Sequence, residues 1–306
     1  MLTLPSYILI TPARDEAAFI ELTLNSVTAQ TVHPLRWIIV SDGSTDRTEE
    51  IVTGYAKQHP WMELVTMPKR RERHFAGKVE AFNAGLARAA DIPYQVIGNL
   101  DGDVSFDEHY FEFLLTRFAE QPRLGVAGTP FTEGSFRYDF RFTSIEHVSG
   151  QIQLFRRECF EAIGGYVPRE IGGVDLVAVT TARMKGWQTR TFLEKPYIHH
   201  RTMGTASTGM LRASFKVGRA DRLLGSDPVW QCARCVYQLT RPPRVMGGLL
   251  RLAGYSWELI KGSELQVPAD LVKFRRAEQM RRLRKFLSTR LGNDESNRLK
   301  GIAVSN

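Results

Sequence analysis

The sequence predicts an α/β protein in which a doubly wound, mostly parallel sheet over residues 1–200 precedes a helical, basic extension over residues 201–306. Short apolar runs alternate with segments whose apolar residues recur every three or four positions, the pattern of strands followed by helices. Acidic residues stand where the predicted strands end. The charge is unevenly divided: residues 201–306 carry 20 Lys and Arg against 8 Asp and Glu, whereas residues 1–200 carry 21 against 25.

The composition bounds the class of protein. A chain of 306 residues that is 43% hydrophobic and 24% charged can bury a core and is not expected to be disordered. No basic-flanked apolar leader opens the chain and no run of about 18 apolar residues occurs, so we expect a cytoplasmic protein without a membrane span. Cys232 and Cys235 lack the second cysteine pair that a structural zinc site needs, and we expect them to be small core residues.

Four short apolar runs predict buried strands, each followed by a segment of helical spacing: Tyr7–Ile10, Trp37–Val40, Leu64–Met67 and Val96–Leu100. Parallel strands joined by helices direct their carboxyl ends to one edge of the sheet, where open α/β folds bind ligands. Asp42 follows the second strand, and Asp101 and Asp103 follow the fourth. We therefore expect these three acids to line one crevice.

Gly102 separates two of these acids, which gives the pattern Asp-Gly-Asp at residues 101–103. Two carboxylates in this arrangement can approach a divalent cation, and that cation can hold a diphosphate. The pattern alone is weak evidence, because it also occurs as an ordinary turn. Asp42 likewise stands in a turn that caps a helix, a role that is compatible with ligand binding.

Four segments, by their order and spacing, resemble glycosyltransferase family 2, whose members have the GT-A fold: Thr11–Glu16, Val40–Asp46, Gly77–Leu86 and Asp101–Asp103. The resemblance covers roughly residues 5–200. It implies transfer of a sugar from a nucleotide-sugar to a hydroxyl group, with inversion at the anomeric carbon. It also implies a divalent metal, Mn²⁺ or Mg²⁺.

The resemblance further implies a site for a UDP-, GDP- or dTDP-linked donor. The loop after the first strand, with Asp42, would hold the nucleobase and ribose, and Asp103 would bind the metal. Lys78 would lie near the diphosphate or the base, although a solvated charge at a helix start is the alternative. The expected donor-binding residues are Pro12, Ala13, Arg14, Glu16, Asp42, Lys78, Asp101, Gly102, Asp103 and Arg201. The family's commoner Ala-Tyr-Asn-Glu is Ala-Arg-Asp-Glu here, which leaves the role of Arg14 open.

Asp175 is the expected general base, since the family places an acid at the start of a helix here. An inverting transfer needs a carboxylate opposite the leaving diphosphate to accept the acceptor's proton. Val174 occupies the position of the family's first acid, and a helix cap is the alternative role for Asp175. A histidine that comes after this helix in the sequence could complete the metal site with Asp103, and we favour His200 over His199.

Residues 201–306 suggest a different partner. Leu249, Leu250 and Trp257 belong to an apolar segment, and arginines surround a later apolar stripe that includes Leu283 and Leu287. Basic amphipathic helices lie on anionic membrane surfaces, but a helix packed on the catalytic domain is an equal alternative. Nucleic acid is not expected, because no nucleic-acid module accompanies the charge.

The predicted function is transfer of a single sugar to a hydroxyl acceptor, a lipid-linked saccharide in surface polysaccharide or glycoconjugate assembly, at the inner face of the cell membrane. The Gln-x-x-Arg-Trp motif of polymerising family members is absent. A nucleotidyltransferase that makes a nucleotide-sugar is one alternative, although the glycine-rich basic phosphate loop of such enzymes is missing. A non-catalytic membrane or RNA adaptor that acts through its basic extension is another.

Overall fold

The structure, a computed structural model, describes residues 3–68, 75–134, 136–137, 144–169, 171–201, 209–240 and 245–302. The chain divides into two compact units, Met1–Met203 (unit 1) and Gly204–Asn306 (unit 2). None of the helices in the described ranges combines the length and apolarity that crossing a bilayer requires.

Unit 1 alternates strands and helices along its described residues. Its strands are β1 (Tyr7–Ala13), β2 (Arg36–Ser41), β3 (Met62–Thr66), β4 (Val96–Leu100), β5 (Val104–Ser105), β6 (Leu124–Gly128), β7 (Phe131–Glu133), β8 (Phe136–Arg137), β9 (Ile152–Arg156), β10 (Gln188–Thr191) and β11 (Tyr197–His199). Its helices are α1 (Ile20–Thr28), α2 (Thr48–Ala56), α3 (Phe75–Arg88), α4 (Tyr110–Glu120), α5 (Arg157–Ala162) and α6 (Val174–Met184).

The main sheet has seven strands in the order β10-β6-β9-β4-β1-β2-β3. All its pairs are parallel except those of β9 with β4 and β6. The chain runs outward from β1 through β2 to β3 and then returns to place β4 on the other side of β1. The strand order therefore reverses between β1 and β4, and such a reversal opens a crevice beyond the carboxyl ends of the strands. The predicted doubly wound, mostly parallel sheet is confirmed.

Both faces of the main sheet are buried, as expected for parallel strands covered by helices. Along β1, Leu9 belongs to one apolar cluster, whereas Ile8 and Ile10 belong to the other. Helix α3 packs unusually close to the sheet at Gly85, where an added Cβ would lie 2.7 Å from the Cγ2 atom of Ile10. The sheet is thus a rigid platform whose polar groups are concentrated at strand ends.

A smaller sheet has the order β5-β11-β7-β8. In it β11 pairs antiparallel with β5 and parallel with β7, so that His199 is opposite Val104 and Ile198 is opposite Thr132. This register brings the end of β11 between the Asp-Gly-Asp segment and the end of β7. The smaller sheet therefore sets the position of one histidine relative to Asp103.

Unit 2 is helical in its described residues and contains α7 (Met210–Leu223), α8 (Pro228–Gln238), α9 (Met246–Ile260) and α10 (Ala269–Ile302). Helices α7 and α9 cross with their backbones in contact, because an added Cβ at Gly254 would lie 2.1 Å from the carbonyl oxygen of Phe215. Cys235 is buried as expected, but the prediction was wrong for Cys232, whose side chain is exposed on α8.

Candidate active site

The loops that follow β1 and β2 are tied together by hydrogen bonds. Asp15 has a positive φ of 53°, which turns its carboxylate toward the second loop. The Oδ1 atom of Asp15 accepts a hydrogen bond from the backbone N–H of Thr45 at 2.7 Å. The backbone N–H of Glu16 donates to the Oγ1 atom of Thr48 at 2.8 Å. The two loops form one preorganised wall at the edge of the sheet.

The wall contains the first group of predicted donor-binding residues. Pro12 and Ala13 are the last two residues of β1 and pair with Val40 and Ser41. The guanidinium of Arg14 lies 3.8 Å from the carboxylate of Asp42, and both side chains are largely buried. An arginine is thus placed against the acid for which the resemblance implies a contact with the nucleobase.

Asp101 lies directly beyond the end of β4 and pairs with Lys78 from α3. The Nζ atom of Lys78 is 2.5 Å from the Oδ1 atom of Asp101. The Nδ2 atom of Asn99 donates to the carbonyl oxygen of Gly150 at 2.6 Å, which joins β4 to the segment before β9. The backbone N–H of Asp101 donates to the carbonyl oxygen of Gln151 at 2.8 Å. Asp101 is therefore held in position from two sides, by Lys78 of α3 and by the backbone of Gln151 before β9.

Gly102 is required by close packing beneath the Asp-Gly-Asp segment. An added Cβ there would lie 2.8 Å from the Cδ1 atom of Ile20 and 3.4 Å from the Cγ atom of Glu16. A larger residue would push the segment away from α1 and move both flanking carboxylates. Gly102 thus contributes through the backbone path, and the carboxylates supply the chemistry.

Asp103 belongs to a buried chain of charged groups with His199 and Glu133. The Nε2 atom of His199 lies 3.5 Å from the Oδ2 atom of Asp103, and its Nδ1 atom lies 2.9 Å from the Oε2 atom of Glu133. Burial alone would raise the pKa of Asp103, but His199, together with Arg201 and Lys78, lowers it below its usual value. Burial alone would lower the pKa of His199, but its two carboxylate partners raise it.

The preference for His200 as the partner of Asp103 is not supported by the side-chain geometry. The Nε2 atom of His200 is 2.8 Å from the hydroxyl of Ser105, and its ring stacks on Phe19. Adjacent residues of a strand point to opposite faces, so only one of the two histidines can face Asp103. In β11 that residue is His199.

Arg201 connects the loop after β1 with the Asp-Gly-Asp segment. Its guanidinium pairs with the carboxylate of Glu16, and its Nε atom lies 3.5 Å from the Oδ2 atom of Asp103. It also lies over the ring of Phe19, 5.7 Å from the centroid. Three of the predicted donor-binding residues, Glu16, Asp103 and Arg201, are thus in contact with one another.

Asp175 is the second residue of α6, which begins after two glycines with positive φ, Gly172 at 82° and Gly173 at 72°. The N-cap is Gly173, so Asp175 is not the capping residue. The carboxylate lies against Gly150, where an added Cβ would be 3.1 Å from the Oδ2 atom of Asp175. Asp175, the expected base, therefore lies beside Gly150, whose carbonyl oxygen accepts the hydrogen bond from Asn99.

The acids of the crevice interact electrostatically with one ammonium group. Burial would lower the pKa of Lys78, but Asp101, Asp103 and Asp175 together raise it. Burial raises the pKa of Asp101, and Lys78 only partly offsets that effect. Lys78 thus interacts electrostatically with three carboxylates, two from the Asp-Gly-Asp segment and one from the start of α6.

The residues fit a divalent metal that is completed by a ligand from outside the chain. Nitrogen and oxygen atoms that share one ion at about 2.1 Å each lie about 3.0–3.5 Å apart, close to the 3.5 Å between His199 and Asp103. Metal-binding histidines also donate their other N–H to a carboxylate, as His199 can to Glu133. Across the described ranges no group of three or more His, Cys, Asp or Glu side chains is placed to hold an ion. The remaining ligands would come from outside the chain, as water or as oxygen atoms of a substrate.

Sequence reasoning missed the contact of Glu133 with His199, and its preference for His200 differs from the side-chain geometry around Asp103. Glu133 lies 66 positions before His199, and nothing local in the sequence marks it. In the structure Tyr197 is buried, Ile198 is exposed and His199 is buried, an alternation that the residue types alone do not reveal. Residues 136–142 are aromatic and basic in sequence, which suggests a loop that meets the acceptor, but most of them lie outside the described residues, which omit 138–143.

Comparisons with known proteins identify the family and the fold. A family model, "Glycosyl transferase family 2", matches residues 8–173. The chain is 29% identical over 136 residues to a poly-beta-1,6-N-acetyl-D-glucosamine synthase of Staphylococcus epidermidis, a match that covers 44% of this chain and 31% of that protein. It is 32% identical over 132 residues to the uncharacterized glycosyltransferase EpsJ of Bacillus subtilis, with 43% and 36% covered. The chain therefore spans about a third of the length of these curated relatives.

Solved structures share the fold over most of the chain. The mannosyltransferase PcManGT from Pyrobaculum calidifontis, in complex with GDP-Man and Mn²⁺, superposes with a TM-score of 0.60 at 19% identity and covers 93% of this chain and 88% of its own. S. aureus TarS 1-349, in complex with UDP-GlcNAc, gives a TM-score of 0.58 at 13% identity, with 94% and 92% covered. At these identities the similarity shows the fold, and it confirms the expected GT-A architecture. The family match extends over more than half of the sequence and contains the loop wall, Lys78 and the Asp-Gly-Asp segment, so this chain belongs to glycosyl transferase family 2.

Proposed function

We propose that this chain transfers a single sugar from a nucleotide-sugar to a hydroxyl group of an acceptor, with inversion at the anomeric carbon. The observation that carries the proposal is that Lys78 pairs with Asp101 at 2.5 Å beyond β4, while Asp175 lies against Gly150, whose carbonyl oxygen accepts a hydrogen bond from Asn99 of the same strand. Inverting transfer needs a base on one side of the sugar and charge neutralisation on the other. These residues offer both in one crevice.

In the proposed mechanism, the loop wall after β1 and β2 binds the nucleoside, with Arg14 and Asp42 at its centre. Lys78 and Arg201 orient the diphosphate through charge-assisted hydrogen bonds. The acceptor oxygen attacks the anomeric carbon while its proton passes to the carboxylate of Asp175. The bond between that carbon and the diphosphate oxygen breaks, and its electron pair leaves with the nucleoside diphosphate.

A divalent metal fits this mechanism through Asp103 and His199, with Glu133 orienting the imidazole. When bound, the ion would neutralise negative charge on the departing diphosphate. The neighbour with GDP-Man and Mn²⁺ supports this assignment. His199 replaces His200 in the proposed ligand set because only its ring faces Asp103.

We further propose a saccharide acceptor carried on a lipid, and a place for the protein at the cytoplasmic face of the membrane. The relative named as a poly-beta-1,6-N-acetyl-D-glucosamine synthase supports a role in polysaccharide synthesis. The surplus of cations in residues 201–306 supports attraction to anionic lipid headgroups. We also propose a single transfer for each event, for which the missing Gln-x-x-Arg-Trp motif is the reason in the sequence.

The test is binding and slow hydrolysis of UDP-, GDP- and dTDP-sugars, with and without Mn²⁺. We expect one nucleotide to bind in a metal-dependent manner, and Asp103→Asn to lose that dependence. Asp91→Asn is a matched control, since Asp91 is an exposed acid of the turn after α3. If no nucleotide-sugar binds with or without metal, the proposal is wrong. If a nucleoside triphosphate reacts with a sugar phosphate and releases pyrophosphate, the nucleotidyltransferase alternative replaces it.

A further inference from the structure

Helix α9 of unit 2 has its polar and apolar faces reversed relative to an ordinary surface helix. Its two charged residues, Arg251 and Glu258, are 9% and 2% exposed. The apolar side chains on the opposite side face outward; Leu249 is 52% exposed, Trp257 is 59% exposed and Ile260 is 85% exposed. A helix on a water-facing surface normally shows the reverse arrangement.

The outward residues form one continuous stripe. They recur at helical spacing within an arc of roughly 100° and are Met246, Leu249, Leu250, Ala253, Trp257 and Ile260, which we name the α9 outer face. None of these six residues carries a charge. The α9 outer face is therefore a contiguous apolar strip along the whole helix. Single exposed apolar residues are common on protein surfaces, whereas a contiguous strip usually marks an interaction site.

Close packing on the inward side fixes this orientation. An added Cβ at Gly218 of α7 would lie 1.9 Å from the carbonyl oxygen of Arg251, and one at Gly254 would lie 2.1 Å from that of Phe215. Only glycine allows the two helix backbones to come this close. On the same side, Arg251 bonds to the buried carboxylate of Asp221, and Glu258 accepts a hydrogen bond from Ser263. Rotation of α9 to hide its apolar side would break all of these contacts.

We propose that the α9 outer face docks unit 2 on the surface of an anionic lipid bilayer. The charge of the unit suits this partner, because residues 201–306 carry 20 Lys and Arg against 8 Asp and Glu. Lys261 follows the exposed Ile260 at the end of the helix and is itself exposed, so that a cation stands beside the strip. Trp257 lies in the strip, and tryptophan favours the boundary between lipid and water.

A second copy of the chain is a poorer occupant of this face. Helix α9 is about 22 Å long and about 10 Å wide, a footprint of roughly 220 Å². A stable protein interface buries about 800 Å² on each partner. Pairing two such units would also bring two positively charged surfaces together, whereas anionic headgroups attract them.

The structure moves the membrane contact from α10, which the sequence pattern also favoured, to α9. In α10 the apolar side chains of Leu271, Val272 and Leu283 are buried within the chain. Val272 packs on Gly225, where an added Cβ would lie 2.7 Å from its Cγ2 atom. Most of the apolar stripe of α10 is therefore occupied by internal packing, with Leu287 left 50% exposed, and the exposed cations of the helix add long-range attraction.

This inference deepens the membrane part of the proposed function and is tested without any sugar transfer. Full-length protein is sedimented with vesicles of phosphatidylcholine alone or mixed with phosphatidylglycerol. We expect binding only to the anionic vesicles. The triple variant Leu249→Gln, Trp257→Gln, Ile260→Gln should bind at least about tenfold more weakly. The matched control Leu35→Gln, at a leucine of unit 1 that is 47% exposed, should bind as the unaltered chain does.

A second measurement guards against misfolding of the triple variant. Quenching of tryptophan fluorescence by brominated lipid should occur with the unaltered chain and be lost in Trp257→Phe, a conservative change at an exposed position. The proposal is overturned if the unaltered chain ignores anionic vesicles, if the triple variant binds them equally well, or if quenching survives Trp257→Phe. It is also overturned if light scattering shows a dimer that the triple variant abolishes. Since no donor is present, these outcomes are independent of the nucleotide-binding test.

Discussion

In unit 1 the charged residues of the crevice stand at the open ends of strands, whereas in unit 2 a comparable set of charges is enclosed between helices. Lys78, Asp101 and Asp103 meet beyond the sheet, where a substrate can reach them. Asp221 of α7 is 6% exposed and pairs with Arg251 and Arg234 from two other helices. The first arrangement keeps charge available for a ligand, and the second uses charge to join helices.

The comparison also extends to the apolar residues. Unit 1 buries its apolar side chains on both faces of the sheet, which frees the strand ends for polar groups. Unit 2 buries charge and glycine between α7 and α9 and leaves apolar residues outside. Because replacement of a buried ion pair by apolar residues is often neutral or stabilising, the charged interior is not explained by stability alone. It is consistent with a helix whose apolar side is reserved for another partner.

The largest effect is expected on the rate of sugar transfer, when a charged residue of the crevice in unit 1 is replaced. Asp175→Asn should lower the rate of sugar transfer by about 10²–10⁴-fold, because the amide cannot accept the acceptor's proton. Nucleotide binding and the unfolding temperature should stay unchanged. Turnover with each substrate and calorimetric unfolding measure the two properties. Undiminished transfer would remove Asp175 as the base.

Asp221→Asn should show the opposite behaviour. Loss of the charge leaves the buried Arg251 without its counter-charge and removes the partner of the partly exposed Arg234, which should destabilise unit 2 by about 3–5 kcal/mol. Nucleotide binding at the crevice of unit 1 should persist at temperatures below the transition. Glu264→Gln, at an exposed acid of unit 2, should change stability by less than about 0.5 kcal/mol. Equal stability of the two variants would show that the Asp221 network does not hold unit 2 together.

His199, at the end of β11, and His200, which follows it, test the metal site with a smaller expected effect. His199→Gln should weaken Mn²⁺ binding, measured by electron paramagnetic resonance with nucleoside diphosphate present, by at least about tenfold. His200→Gln should weaken it by less than about twofold, since that ring bonds to Ser105. A larger loss at His200 would contradict the assignment of His199.

The smallest expected effect is the change with pH of the stability that Asp221 contributes to unit 2. Burial would raise the pKa of Asp221, but Arg251, Arg234 and Arg275 lower it below its usual value. Because the folded pKa is the lower one, the stabilisation is complete above the unfolded value of about 3.9 and is lost as pH falls below it. The stability difference between the unaltered chain and Asp221→Asn should therefore shrink below about pH 3.9, by up to about 1.4 kcal/mol for each pH unit. A difference that does not change with pH would mean that this carboxylate does not titrate with unfolding.

Most of the sheet could be predicted because its signals are local. The runs at Tyr7–Ile10, Trp37–Val40 and Val96–Leu100 became β1, β2 and β4, and the helix expected to start near Asp175 became α6. The spacing of apolar residues and the residue preferences of turns depend on near neighbours in the chain, so both can be recognised directly in the sequence. The edge where Asp42, Asp101 and Asp103 meet followed from the parallel topology.

The rest depended on contacts between distant residues. The pairing of His199 with Glu133 spans 66 positions, and that of Arg201 with Glu16 spans 185. The outward side of α9 was set by its glycine contacts with α7, which no periodicity reveals. By itself the sequence determined the strands, the helices and the acids at the strand ends, because these depend on local backbone and solvation preferences. Only the tertiary structure decided which histidine faces Asp103 and which side of α9 faces outward, because each choice depends on packing against a segment far away in the chain.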